Sequence, residues 1–170
     1  PDTHGAHSAA IVLSGADGDG AIGIKRIKER GGLTIAQDPV ECEHETMPRA
    51  AIETGMVDWV LSVEQMPKRL LEYQKRETRL EIPPEEGPHP AAVPVPAPSE
   101  QEAALRDVLS FLRTRTARDF SYYKRATIVR RVARRMQVNE VDDVQSYLQY
   151  LRTHPGETAA VFQDLLGSVT

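Results

Sequence analysis

The sequence predicts two fold classes in succession: an α/β segment, then an all-α segment closing into a small four-helix bundle. Three observations carry that reading. Short apolar runs alternate with helical stretches through roughly the first 75 residues. A proline-rich stretch at residues 82–98 then holds seven of the twelve prolines. Beyond it, every periodic segment repeats at helical spacing.

Residues 9–14 form a short apolar run that suits a buried strand. A Gly-rich turn follows, then a helix over 21–30 with Ile24, Ile27 and Lys28 at helical spacing, stopped by Gly31 and Gly32. Residues 33–37 make a second strand. Residues 47–55 read as a short helix with Pro48 in its first turn and Gly55 just past its end. Residues 57–61 make a third strand, and 63–74 a last helix. Strands separated by helices imply parallel pairing, right-handed crossovers and a sheet covered on both faces.

The proline-rich stretch cannot pair regularly or continue a helix, and it reads as an extended interdomain linker. After it, Ser99 to Glu102 fits a capping box, opening a helix with Leu105, Val108, Leu109 and Leu112 on one face. A second helix spans 121–137. Asp142 or Asp143 caps a third, with Val144, Tyr147, Leu148 and Leu151 in register. Pro155 starts a fourth, carrying Phe162, Leu165, Leu166 and Val169.

Composition excludes several classes. The net charge of −4 gives no global reason for nucleic-acid binding. One cysteine, Cys42, excludes an internal disulfide and a Cys-rich zinc site, and its spacing from His44 is slender evidence for a metal. No apolar run reaches the ~18 residues that span a membrane, and no secretory signal opens the chain. The chain starts at Pro1 with strand-like sequence close behind, so the expectation is an internal piece of a longer cytoplasmic protein.

The second bundle helix holds a local charge imbalance. It carries Lys124, Arg125, Arg130, Arg131, Arg134 and Arg135 and no acid. At about 100° per residue, Lys124, Arg130, Arg131, Arg134 and Arg135 share one side, and Tyr122, Ile128, Val129, Val132 and Met136 the other. One side is expected to pack while the other shows a positive stripe. An acidic protein surface, nucleic acid and anionic lipid are its candidate partners, and composition leaves the three open.

The loop at residues 13–23, between a strand and a helix, sits where α/β proteins place sites. Gly18, Gly20 and Gly23 match a dinucleotide fingerprint, with Asp38 twenty residues after Gly18. Asp17 and Asp19, however, would oppose a pyrophosphate at the helix N-terminus. A calcium loop fails, because Gly15 would take the first ligand position and Arg26 the closing one. Asp19 could instead orient a histidine in a Ser-His-Asp relay, accepting from the imidazole and fixing its tautomer. Its plainer alternative is a helix cap.

Residues 13–21 (LSGADGDGA), 31–39 (GGLTIAQDP) and 47–52 (MPRAAI) resemble, in this order and spacing, the final third of the catalytic domain of chemotaxis protein-glutamate methylesterases, the CheB family. The resemblance covers roughly residues 8–75. It implies a parallel α/β fold and a serine-type hydrolase releasing methanol from receptor glutamate methyl esters without a cofactor, with Asp19 matching the triad aspartate. The loop departs from the family at Ala16-Asp17-Gly18, where a further glycine and a bulkier residue are common. The family's serine and histidine are not matched here, and His4, His7 and Ser8 sit too close to the first strand to replace them.

Residues 120–136 (FSYYKRATIVRRVARRM), 142–148 (DDVQSYL) and 165–170 (LLGSVT) resemble the N-terminal helical domain of chemotaxis protein-glutamate methyltransferases, the CheR family. That resemblance implies that the basic helix meets the acidic methylation region of receptors through Lys124, Arg130, Arg131, Arg134 and Arg135. It also implies S-adenosylmethionine as cofactor of the whole transferase, with Thr170 touching it and the glycine-rich cofactor site outside this chain.

The expected organisation is therefore the C-terminal part of a methylesterase catalytic domain (1–78), a linker (79–98) and the N-terminal helical domain of a methyltransferase (99–170). The pair reads as a fragment of a bifunctional enzyme acting on a chemotaxis receptor, inactive by itself, with neither nucleic-acid binding nor membrane insertion expected. The alternative is a non-enzymatic module using the basic helix on nucleic acid or acidic protein.

Overall fold

A computed structural model describes residues 7–18, 20–77, 100–120 and 122–166. The chain divides into two units, the first reaching Lys75 and the second running from Arg76 to Leu165. The proline-rich stretch lies outside the described residues, as do Ser99, Asp19, Val169 and Thr170.

The first unit is a three-stranded parallel sheet in the order β1-β2-β3, with β1 at Ala9–Val12, β2 at Leu33–Gln37 and β3 at Trp59–Leu61. Helix α1 (Gly20–Glu29) connects β1 to β2, and α2 (Thr46–Glu53) connects β2 to β3. Because side chains alternate along a strand, Val12, Ala36 and Val60 share one face in register, and Ile11, Ile35 and Trp59 the other. Ile24 of α1 and Ala51 of α2 bury with Val12, so both crossovers cover the first face. Helix α3 (Met66–Glu77) serves the second, where Tyr73 meets Trp59 edge-on at 5.7 Å and the Arg69 guanidinium lies 4.8 Å from the indole. Central β2 is buried throughout, as a parallel strand covered on both faces should be.

Two local signals explain the helix ends. Gly31 adopts φ +81°, with Gly31 N–H donating to Lys28 C=O and Gly32 N–H to Ile27 C=O, the paired bonds of a Schellman stop. Gly55, at φ +67°, follows α2 in the same left-handed region.

At the N-terminal ends of β2 and β3, Asp58 is buried and pairs with Lys28, while its Oδ2 accepts from Thr34 N–H at 3.0 Å. Lys28 therefore occupies a core position of α1 by carrying its charge to a buried carboxylate. The third strand begins at Trp59, two residues later than expected, although Asp58 N–H still donates to Thr34 C=O of β2 at 2.9 Å.

The second unit is helical. It contains α4 (Glu100–Thr116), α5 (Arg125–Val138), α6 (Val144–Thr153) and α7 (Pro155–Leu166). Leu105, Val108 and Leu112 of α4 meet Ile128, Val132 and Met136 of α5, Tyr147, Leu148 and Leu151 of α6, and Val161 and Leu165 of α7. Asp143 caps α6, accepting from Ser146 N–H at 2.7 Å and from its hydroxyl at 2.6 Å. Those bonds hold the Asp143 carboxyl below its usual range.

Candidate functional site

The first candidate site lies at the C-terminal ends of β1 and β2, the sheet edge where parallel α/β folds place their chemistry. Buried Gln37, the last residue of β2, accepts from Ser14 N–H at 2.8 Å. The following loop is laced to the loop before α2. Gly15 N–H donates to His44 C=O at 2.9 Å, Met47 N–H to Gly15 C=O at 3.0 Å, and His44 N–H to Ser14 Oγ at 3.0 Å. A Cβ at Gly15 would collide with the Met47 side chain, and one at Gly20 would crowd Val12 at 3.1 Å and Met47 at 3.3 Å. These two glycines let the loop lie flat against α2.

Asp19 itself lies outside the described residues. Its neighbours are Gly18, at the end of the laced loop, and Gly20, the first residue of α1. Ser14 is engaged with His44 through the backbone, not the imidazole, so the two do not form a nucleophile and base. Ser8 is at the other end of β1, its carbonyl accepting from Leu33 N–H. At ~3.3 Å per residue, a four-residue strand separates it from the loop by well over 10 Å.

The dinucleotide pattern has no packing reason here. The third glycine of that fingerprint permits close helix–strand approach, but a Cβ on Gly23 would meet open space. Asp38, which matches the fingerprint by spacing, caps a 3-10 turn at Pro39–Glu41, accepting from Val40 N–H at 3.0 Å. Cys42 donates to Asp38 C=O at 3.3 Å. Its partial burial, then the carboxylates of Asp38, Glu45 and Glu41, push the thiol above its usual range, which keeps it protonated.

The second candidate site is α5, and here the expectation of an exposed five-residue stripe is corrected. Helix α5 starts at Arg125 rather than at 121, so Lys124 is its exposed N-cap residue. Arg130 is half-buried, while Arg131, Arg134 and Arg135 are only 3%, 3% and 4% exposed. Tyr122, assigned to the packed side, is 92% exposed. From Arg131 to Val138 only Ala133 escapes full burial, whereas Arg125 and Ala126 in the first turn are exposed.

The helix has no acid of its own, but its neighbours supply them. Arg135 grips Glu157 of α7 bidentately, Nε to Oε1 at 2.8 Å and Nη2 to Oε2 at 2.5 Å. Asp164 lies 3.8 Å from Arg135 Nη1, and the Tyr147 hydroxyl donates to Glu157 Oε1 at 2.7 Å. Arg125 reaches Glu102 of α4 at 2.5 Å, the residue expected to close a capping box. Burial first, and then the Glu157 carboxylate, push the Tyr147 phenol well above its ordinary range. Sequence reasoning placed Tyr147 in the core but missed Glu157, whose position in the first turn of α7 looks like a routine helix-dipole acid.

With this geometry in hand, the family comparisons divide the chain at the same place. Residues 2–70 match the family model for CheB methylesterase, and residues 103–166 that for the all-alpha domain of CheR methyltransferase. The chain joins a CheB-type segment to a CheR-type segment. The CheB-type segment is 54% identical, over 33% of this chain and 29% of the relative, to a putative protein-glutamate methylesterase/protein-glutamine glutaminase of Leptospira interrogans. It is 48% identical, over 39% of this chain and 18% of the relative, to a protein-glutamate methylesterase/protein-glutamine glutaminase of Pyrococcus abyssi. Both segments together are similar to an uncharacterized 104.1 kDa protein of Rhodobacter capsulatus, 34% identical over 98% of this chain and 19% of that protein. The chain thus spans between 18% and 29% of the length of these relatives. No solved structure gives a significant match. The sheet-then-bundle architecture agrees with the CheB-type and CheR-type order, and among the described residues no helix is long and apolar enough to cross a membrane.

Proposed function

We propose that these residues are the junction of a bifunctional chemotaxis enzyme that both hydrolyses receptor glutamate methyl esters and methylates receptor glutamates. The observation that carries the reading is the succession, in one chain, of a CheB methylesterase match and a CheR all-alpha match. In this reading residues 1–78 belong to the esterase, 79–98 are the linker and 99–170 open the transferase. Asp19 serves the esterase by accepting from a histidine and stabilising the imidazolium that forms as a serine attacks the ester carbonyl. The laced loop supports that role, since bonds to the backbone of residues 44 and 47 limit its freedom. The glutaminase activity in the relatives' names is the same acyl chemistry with an amide in place of an ester.

The transferase half would bring α5 to an acidic receptor segment. Lys124 and Arg130 are the cations of the original set that retain access to solvent. Arg131, Arg134 and Arg135 would support that surface from below, Arg135 through its bond to Glu157. The family's cofactor, S-adenosylmethionine, is expected at a site outside this chain. Thr170 is beyond the described residues, so no step is assigned to it.

The test has two arms. A polypeptide of these 170 residues is expected to release no methanol from methylated receptor, because two of three triad members are unmatched. Serine-inhibitor-sensitive turnover would contradict that. The same polypeptide is expected to bind a receptor methylation-region peptide salt-sensitively, with Lys124→Glu and Arg130→Glu weakening it. Binding to duplex DNA with none to the peptide would refute the receptor assignment.

A further inference from the structure

The helical unit has a second surface that the receptor reading does not use. Between the C-terminal ends of α4 and α6 and the start of α7 lies a groove of about 430 Å³, within the size range of ligand sites. Phe111, Leu151, Ala159 and Phe162 give it an apolar lining, to which Arg115 and Arg152 add two cations. No residue of α5 lines it.

The two arginines set this groove apart from an ordinary gap between helices. Arg113, close by in sequence, has Asp119 at 3.9 Å, and Arg125 and Arg135 hold carboxylates at 2.5 Å. Arg115 and Arg152 pair with no carboxylate among the described residues. Arg115 lies instead over the Phe111 ring, 5.6 Å from its centroid, a contact that leaves its N–H donors available to a carboxylate. An apolar trough with two available cations is complementary to an apolar side chain flanked by carboxylates.

We propose that this groove docks an acidic protein segment, seating one or two large apolar side chains on Phe111, Leu151 and Phe162 while adjacent Asp or Glu residues meet Arg115 and Arg152. Apolar anchoring supplies most of the affinity, and the arginines set orientation and partner choice. The inference is independent of α5, because the two surfaces share no residue.

The test uses the 170-residue chain and a fluorescein-labelled glutamate-rich peptide carrying Leu and Phe one helical turn apart, followed by anisotropy. Saturable binding is expected, about tenfold weaker in Arg115→Ala/Arg152→Ala, since two ion pairs are removed. Ala159→Trp, which fills the trough, should abolish the part of the binding that depends on Leu and Phe. Ala159→Glu, which sets a carboxylate beside the arginines, does the same with less bulk and guards against a misfolded tryptophan variant. Lys124→Ala/Arg130→Ala should leave binding intact. The proposal is overturned if Ala159→Trp and Ala159→Glu both bind normally, or if replacing Leu and Phe of the peptide by Ser changes nothing. Loss of binding in the α5 variant, or self-association of the chain through the groove in place of peptide binding, would also overturn it.

Discussion

Arg135, Glu157 and Tyr147 form the most consequential residue-scale arrangement in the helical unit. Arg135 and Glu157 have side chains only 5% and 6% exposed, so neither charge has bulk water to replace its partner. Such a pair contributes little against a well-packed apolar replacement, yet breaking it strands a buried charge. Glu157→Ala is therefore expected to cost roughly 3–5 kcal/mol, read by chemical denaturation. Arg135→Met/Glu157→Leu should cost less than the sum of the two single variants, whereas additive costs in the double variant would show that the pair is not coupled. Tyr147 adds a pH dependence. Its phenol is held above the ordinary value of about 10, so above that pH the unfolded chain releases a proton that the folded chain keeps. Stability from this group is complete below pH ~10 and declines as pH rises through the folded value. Tyr147→Phe should cost roughly 1.5–3 kcal/mol at neutral pH for the lost bond to a carboxylate, with the gap to the parent narrowing above pH ~10. A gap that stays constant with pH would contradict the assignment.

At the scale of elements, helix ends and the positions of small residues decide the outcome. Gly23 sits inside α1 with open space where a Cβ would be, so nothing in the packing requires glycine there. Gly23→Ala should stabilise by about 0.5–1 kcal/mol through helix propensity alone. Ala117 is the converse. It follows α4 at φ +54°, a conformation that suits glycine, and Ala117→Gly should relieve strain of about 1 kcal/mol. Thermal melts of the two variants check both signs, and a destabilised Gly23→Ala would reveal a close approach to α1. The elements themselves were largely legible. Gly31 and Gly32 announce the stop of α1, Pro155 the start of α7 and Asp143 the cap of α6, because each acts through bonds within a few residues. The face of α5 was not legible. A helical wheel sorts the residues of one helix, whereas the burial of Arg131, Arg134 and Arg135 depends on what surrounds that helix. The acids that meet α5 come from Glu102, Glu157 and Asp164, more than twenty residues away along the chain.

At the scale of the whole molecule, the meaning of the chain lies in its order. A parallel sheet with a loop at its C-terminal edge precedes a helical bundle, with a proline-rich stretch between them in sequence. If writing and erasing of one mark are joined in this way, capture of a receptor by either half raises the local concentration of the other activity. The sequence by itself determined the two fold classes, the parallel pairing of the strands, the family of each half and the loop that carries Asp19. Hydrophobic period, glycine and proline placement and short motifs are local quantities, and a linear string records them. Tertiary structure alone decided that Lys28 would be neutralised by Asp58, that Gln37 would hold Ser14, and that most of the basic stripe would be buried instead of displayed. The reason is physical: whether a charge faces water or a buried carboxylate is settled by residues distant in sequence, and only folding brings them together.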